Sequence, residues 1–511
     1  MNKRWIIILI IIATAAFFRF YNLADAPPGL YPDEAMNGNN ALQAISTGDY
    51  KVFYPENNGR EGLFMNLQAI SISAFGNEPW ALRLVSAIFG TLTVLGLYLL
   101  TKELFNRHIA YIASFLLAVS FWHVLFSRIS FRAIMAPMFL VFALYFLWQA
   151  LRSKHLLPFA ISGLFWGLGL YSYLAFRIIP LAAIITLLAY WHFIKKDYDH
   201  EKYERVKMDI ARGLVLALFV AALVSIPLAL YFYNNPGDFL GRTGQLSIFA
   251  SENPALTLIK NLGQTLAMFN FEGDRNWRHN LGGSPMLLWP VGAMFVVGFL
   301  RSIFKCLRQW KRHGHFSTVQ TLLLSWFFVG LLPVILSSEG IPHALRAIII
   351  VPVVYIFAAE GIWWLYEVMS REYRSTDVHE IKLRRLKISE SNIVAGFAII
   401  VFLGAIAIAN FDKYFNKWAQ SPITAAYFNK NYVDLGKHIN NLPIEVKKYV
   451  LVNAGGVLVN GIPMPSQTVM FITDTYTPEK QKAKNIFYLT EEQFVKTRIE
   501  RDALVLPLEQ R

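Results

Sequence analysis

Long apolar runs separated by short polar stretches occupy roughly the first four-fifths of the chain. Windows of about 19 residues reach membrane-type hydropathy around Ile10, Val94, Leu117, Leu144, Leu168, Ile185, Leu218, Val291, Trp326, Tyr355 and Val401. Runs of that kind cross a hydrocarbon layer of ~30 Å as helices. The pattern therefore predicts a mainly α, polytopic transmembrane fold of about eleven spans. From Asp412 to Arg511 it breaks into mixed polar sequence with short β-like runs, "KYVLVNAG" and "TVMFIT". That tail reads as a small α/β domain of about 100 residues. The chain divides into a membrane domain, 1–411, whose first large polar loop is 21–64, and a C-terminal domain, 412–511.

Composition agrees: of 511 residues 55% are hydrophobic and only 16% charged, too apolar for an ordinary soluble domain. The lone Cys306 permits no internal disulfide. A net charge of +14 names a partner only once it is located. With the amino end "MNKRW" on the cytoplasmic side, the inner loops "KKDYDHEKYERVK", "RSIFKCLRQWKR" and "REYRSTDVHEIKLRRLK" help collect about 23 of the 48 basic residues. The outer connections, longer in total, hold about 12, which satisfies the positive-inside rule. An odd number of spans then puts the C-terminal domain outside the cell membrane. Topology accounts for much of the charge, and no nucleic-acid partner is expected. A cleaved signal peptide ending at Ala24-Asp25-Ala26 is the competing reading of the first run. The proline that follows and the integral character of the rest favour a retained span.

The charges outside are unevenly chosen. Inner loops carry Lys and Arg about equally, whereas the outer surface of the membrane domain has two Lys and ten Arg: Arg19, Arg60, Arg83, Arg128, Arg132, Arg177, Arg242, Arg275, Arg278 and Arg346. A guanidinium grips carboxylate or phosphate in two places and keeps its charge when partly desolvated. Any one of these could simply snorkel to lipid headgroups. Ten beside an acidic pair, Asp33 and Glu34 in "YPDEAMNGNN", point to an anionic substrate, a phosphate or diphosphate carried on a lipid. Arg128 and Arg132 would share one face if helical. Three outer segments gather further donors and acceptors: "YPENNGREGLF" with Arg60 and Glu61, "FEGDRNWRHNLGGSP" with Asp274, Arg275, Arg278 and His279, and "SSEGIPHALRA" with His343 and Arg346.

At these residues the chain resembles the GT-C class of polyprenyl-phosphate-sugar-dependent glycosyltransferases, nearest the branch of protein O-mannosyltransferases and the lipid A aminoarabinose transferase. The likeness rests on "DE" in the first outer loop, "GREGLF" leading into a membrane helix, and "SRISFRAIMAPMFLVFALYFL". It covers most of the membrane domain and is strongest from Asp33 to about Leu151. It implies transfer of a sugar from a polyprenyl-phosphate donor to a hydroxyl of protein, lipid or glycan at the outer face, with inversion. Asp33 matches the family's first-loop aspartate, a general base or acceptor orienter, and Arg60 falls where relatives often carry a phosphate-binding lysine. The chain departs from the aminoarabinose branch at Arg132-Ala133-Ile134, where Arg-Pro-Asp is common. "WWLYE" (Trp363–Glu367) only superficially echoes the oligosaccharyltransferase motif.

The chemistry asks for such residues. A hydroxyl attacking an anomeric carbon must lose a proton, which suits Asp33, with Glu34 as a supporting carboxylate. The departing lipid phosphate gains charge, which suits Arg60, Arg128, Arg132, Arg275, Arg278 and Arg346, with Glu61, Asp274, His279 and His343 as further substrate contacts. No cofactor is expected. A divalent metal between Asp33 and another acid such as Asp274 is left open by the resemblance, since some GT-C members use one; with no metal-ligand spacing present, none is predicted. A transporter or flippase of a lipid-linked anionic sugar is the alternative. It would favour internal repeats and charges near mid-span, and the charges here sit at span ends. A catalytically silent scaffold would leave the acid–arginine collection unexplained.

Overall fold

The computed structural model describes residues 3–239, 248–250, 252–372, 382–383, 386–387 and 390–509. Arg242 lies outside them. Each of the eleven apolar windows centres on a helix. Among the described residues eight helices are long and apolar enough to cross a membrane. The windows at Ile10, Leu117 and Leu168 fall on shorter apolar helices, Trp5–Phe20, Arg107–Val119 and Leu156–Gly169. The Leu117 run is divided because Ser120 caps a new turn, its side chain accepting from His123 N.

Helix α1 (Lys3–Phe20) leads into the first large loop, which is itself folded. Helix α2 (Pro32–Thr47) starts on a proline, a position where the missing N–H costs nothing, and ends at Gly48 with φ 74°. It is buried although poor in apolar residues, with Glu34, Asn37, Asn39 and Asn40 all inside. A hairpin then pairs strand β1 (Phe53–Tyr54) with β2 (Arg60–Glu61), Tyr54 opposite Arg60. Asn57, Asn58 and Gly59 turn it with φ of 52°, 63° and 76°, the left-handed region that Asn and Gly tolerate best. "GREGLF" does not open a span: α3 (Leu63–Phe75) has 13 residues, about 20 Å of helix at 1.5 Å per residue. It packs between α2 and the first long membrane helix, α4 (Pro79–Leu104).

One large apolar core joins α1, α4, Arg107–Val119, Met135–Ser153, Thr318–Ile335 and Val351–Glu372. Beyond Phe411 the chain forms a three-stranded parallel sheet, Lys448–Val452 in the middle between Ile486–Thr490 and Leu504–Pro507. "KYVLVNAG" supplies the central strand. "TVMFIT" is not a strand but most of a short helix, Gln467–Thr473. Its β-branched residues serve burial: every residue of it is inside, and it packs against α2, where Phe471 shares a core with Leu30, Ala35 and Leu82.

Candidate active site

Asp33, in the first turn of α2, faces a cavity of about 140 Å³ that it lines with Asn37, Asn57, Asn58, Arg60, Phe131, Arg132, Ala133, Tyr173 and Leu345. Asn57 Nδ2 donates to Asp33 Oδ1 at 2.8 Å. The hairpin delivers Arg60 from the other side. That guanidinium, 3% exposed, donates from Nη1 to Asn37 Oδ1 and from Nη2 to Asn40 Oδ1, two amides one turn apart on α2. Burial, and next the Arg132 charge, draw the Arg60 pKa down to about 10, with Asp33 and Glu56 pulling the other way. Tyr31 is pushed up to about 12 by burial and by Asp33.

A second, larger cavity of about 500 Å³ adjoins the first through Tyr173 and Leu345, which line both. Its walls are mainly apolar, from Leu174, Ile178, Leu332, Pro333 and Leu336, and its cationic part is Arg177 and Arg346 with His343 beside them. Glu61 ties the two cavities together: Oε2 accepts from Arg132 Nε at 2.8 Å and Oε1 from Arg177 Nη2 at 3.0 Å. Each guanidinium also lies over an aromatic ring, Arg132 over Tyr173 and Arg177 over Phe232 and Phe239. One carboxylate thus holds two forks in fixed orientation while leaving the pair with a net positive charge.

The remaining candidates separate. Glu34 points away from Asp33's cavity: it is fully buried, paired with Arg83, and accepts from Ser130 N at 2.7 Å. Arg128 is not available to a phosphate. It is fully buried and spends its donors on the carbonyls of Phe18, Asn22 and Ala26 and on the Tyr414 hydroxyl. It shares no helical face with Arg132, because 127–131 is a turn and only Arg132–Ile134 winds again, as a 3-10 segment. Arg275 is 80% exposed and pairs with Glu272, so it lies outside the cavities. Arg278 stacks over Tyr31 at 4.1 Å.

Asp274, His279 and His343 converge although 64 residues separate the two histidines (343 − 279). One ligand atom from each lies within 4.8 Å of the others. His279 Nδ1 is 3.0 Å from Asp274 Oδ2, which also accepts from Ala344 N at 2.8 Å. Burial lowers the His279 pKa against the pull of Asp274, and a neutral imidazole is the form that ligates a metal. These three residues could hold a divalent cation, a grouping that no local spacing announces. Cavity-lining residues absent from the candidates drawn from the sequence are Asn37, Asn57, Asn58, Tyr173 and Arg177. Arg177 was visible as one of ten outer arginines at the head of a span. The asparagines were visible only as turn formers or helix-surface residues.

Residues 63–224 match the sequence model of the family described as dolichyl-phosphate-mannose-protein mannosyltransferase. The chain is 26% identical over 244 residues to YkcB of Bacillus subtilis, a protein whose name assigns it provisionally to the mannosyltransferases. That match covers 46% of this chain and 31% of YkcB. Among solved structures, ArnT from Cupriavidus metallidurans superposes with a TM-score of 0.58 at 13% identity, covering 97% of this chain and 91% of ArnT. The oligosaccharyltransferase AglB from Archaeoglobus fulgidus gives 0.56 at 16% identity, covering 94% of this chain and 65% of AglB. At these identities the likeness shows a shared fold: the backbone of this chain follows those of ArnT and AglB over nearly its whole length.

Proposed function

We propose that the protein is an integral membrane glycosyltransferase that moves a sugar from a polyprenyl-phosphate donor to a hydroxyl acceptor at the outer face of the membrane. The carrying observation is the junction of the two cavities at Tyr173 and Leu345. The apolar one suits an isoprenoid chain, the polar one suits a single sugar ring, and Arg132 and Arg177 stand where the joining phosphate would lie. ArnT has been solved with undecaprenyl phosphate, and AglB with an inhibitory peptide and a dolichol-phosphate, which supports a lipid-phosphate ligand here.

In this reading Asp33 accepts the proton of the incoming hydroxyl through the carboxylate oxygen that Asn57 does not occupy. The hydroxyl oxygen forms its bond to the anomeric carbon as the bond to the phosphate oxygen breaks, with inversion. The electron pair leaves with the lipid phosphate, whose growing charge meets Arg132, Arg177 and Arg346. Arg60 and the amides of Asn37 and Asn58 contact the sugar hydroxyls. Glu34 and Arg128 support the scaffold rather than the reaction. Of the cation-binding candidates, Asp274, His279 and His343 fit a divalent ion, and no step is assigned to one.

The test is transfer from a polyprenyl-phosphate sugar by Asp33→Asn in reconstituted membranes. A general base contributes about 10²–10⁴-fold, so the variant should lose at least two orders of magnitude at unchanged abundance. Near-normal transfer would remove Asp33 as the base.

A further inference from the structure

Helix Pro254–Ala267 has its polarity turned outside in. Its inward face is polar: Asn261 is 5% exposed and Thr265 fully buried, and Asn261 Nδ2 donates to the carbonyls of Ile335 at 2.9 Å and Ser337 at 2.7 Å. Its outward face is apolar, with Leu256 63%, Ile259 68%, Leu262 39% and Leu266 43% exposed. These positions recur every three or four residues and so form one stripe. A helix in a water-filled loop turns such a stripe inward. This one spends its inner face on two carbonyls and leaves the stripe outside.

What covers the stripe is indicated by its surroundings. Phe271 and Trp289, also exposed, pair edge to face 6.0 Å apart just beyond the helix, and Trp289 opens a membrane-spanning helix. Aromatic side chains gather at the boundary between headgroups and acyl chains, and helices with one apolar face lie flat at that depth. We propose that Pro254–Ala267 lies in the interfacial layer of the membrane on the Asp33 side, its leucine–isoleucine stripe among lipid acyl chains. The helix is then a lipid-seated shoulder of the larger cavity, because the carbonyls it grips flank Leu336, and Leu336 and Ser337 line that cavity. The seating rests on the geometry of this helix and its aromatic neighbours and does not depend on the transferase reading.

Single cysteines at Ile259, Leu266 and Gln264 in a Cys306→Ser background, spin-labelled in nanodiscs, test the seating without any transfer assay. Ile259→Cys and Leu266→Cys should be relaxed more by oxygen than by a water-soluble nickel chelate, and Gln264→Cys the reverse. Preference for the nickel chelate at both stripe positions would put the face in water and overturn the proposal. Protection of both from either reagent would mean a protein cover, such as a second copy, and overturn it equally. The cysteine variants replace exposed side chains, and detergent-extracted protein that elutes as wild type confirms that each is folded.

Discussion

Arg83 grips Glu34 with two nitrogens, Nε and Nη2 each 3.1 Å from a carboxylate oxygen, and neither side chain is exposed. The same guanidinium donates to the carbonyls of Pro27 and Gly29 at 2.7 Å, while Glu34 also takes Ser130 N. The pair therefore pins the start of α2 to α4 and to two loops. Breaking a buried pair from one side costs about 3–5 kcal/mol, because it strands the other charge. Glu34→Gln should lower the melting temperature sharply, yet the folded fraction should transfer sugar within a few-fold of wild type. Transfer per folded molecule down a hundredfold, measured beside Asp33→Asn, would return Glu34 to the chemistry.

Arg132 and Arg177 share Glu61, and both line the cavities, whereas Arg275 faces solvent. Replacing each arginine with lysine keeps the charge and loses the planar fork. Arg132→Lys and Arg177→Lys should each reduce kcat/KM by roughly 10–100-fold, on the order of 1.4–2.7 kcal/mol at ~1.36 kcal/mol per decade. Arg275→Lys should be silent. Steady-state kinetics with varied donor decide it, and equal effects at all three positions would mean diffuse electrostatics in place of a shaped site.

Asp274 Oδ2 joins the 268–288 loop to the 336–347 loop through Ala344 N and the His279 ring. Without it, Ala344 N loses an acceptor and His279 a hydrogen-bond partner, each a loss of ~1–3 kcal/mol when buried. Asp274→Ala should therefore destabilise the fold and loosen the His343–Arg346 loop, raising the KM for donor more than it lowers kcat. An unchanged melting temperature would show that the three-residue cluster bears no structural load.

The parts legible in the sequence were those governed by local pattern. Hydropathy located the long helices, and Asp33 stood out as half of an acidic pair in the first outer loop, beside an excess of arginine and matching the first-loop aspartate of the class the chain resembles. The contacts that shape the site were not legible. Glu61 meets Arg132 and Arg177 across 71 and 116 residues, and its place in "GREGLF" marked it as a candidate without naming either partner. Arg128 and Arg132 looked equivalent until a turn between them sent one into a cage of carbonyls. At Leu117 and Leu168 the continuous helix is shorter than the apolar window, because a capping serine and a glycine-ended helix interrupt the run. "TVMFIT" carries strand-like residues, but its neighbour is α2, and packing overrode propensity.

That packing yields the last prediction. Asn39 Nδ2 donates to the Gln467 carbonyl and side-chain oxygens at 3.1 and 2.9 Å, and Thr468 Oγ1 to Leu30 O at 3.0 Å. Between these bonds Gly38 lies flat against the Phe471 ring, so that a Cβ on it would overlap that ring. Gly38 is buried in the helix that carries both Asp33 and Asn37, and overpacking a tight core costs ~1–3 kcal/mol. Gly38→Ala should therefore displace either Phe471 or α2, and any displacement of α2 moves Asp33 in its cavity. Transfer should fall at least tenfold, on the order of 1.4 kcal/mol in the barrier, in protein that still folds. Phe471→Leu removes the overlap, so the double variant should recover part of both stability and rate, a coupling that independent sites do not show. Strict additivity of the two substitutions in melting temperature and in kcat would mean that the C-terminal helix does not hold α2 in register.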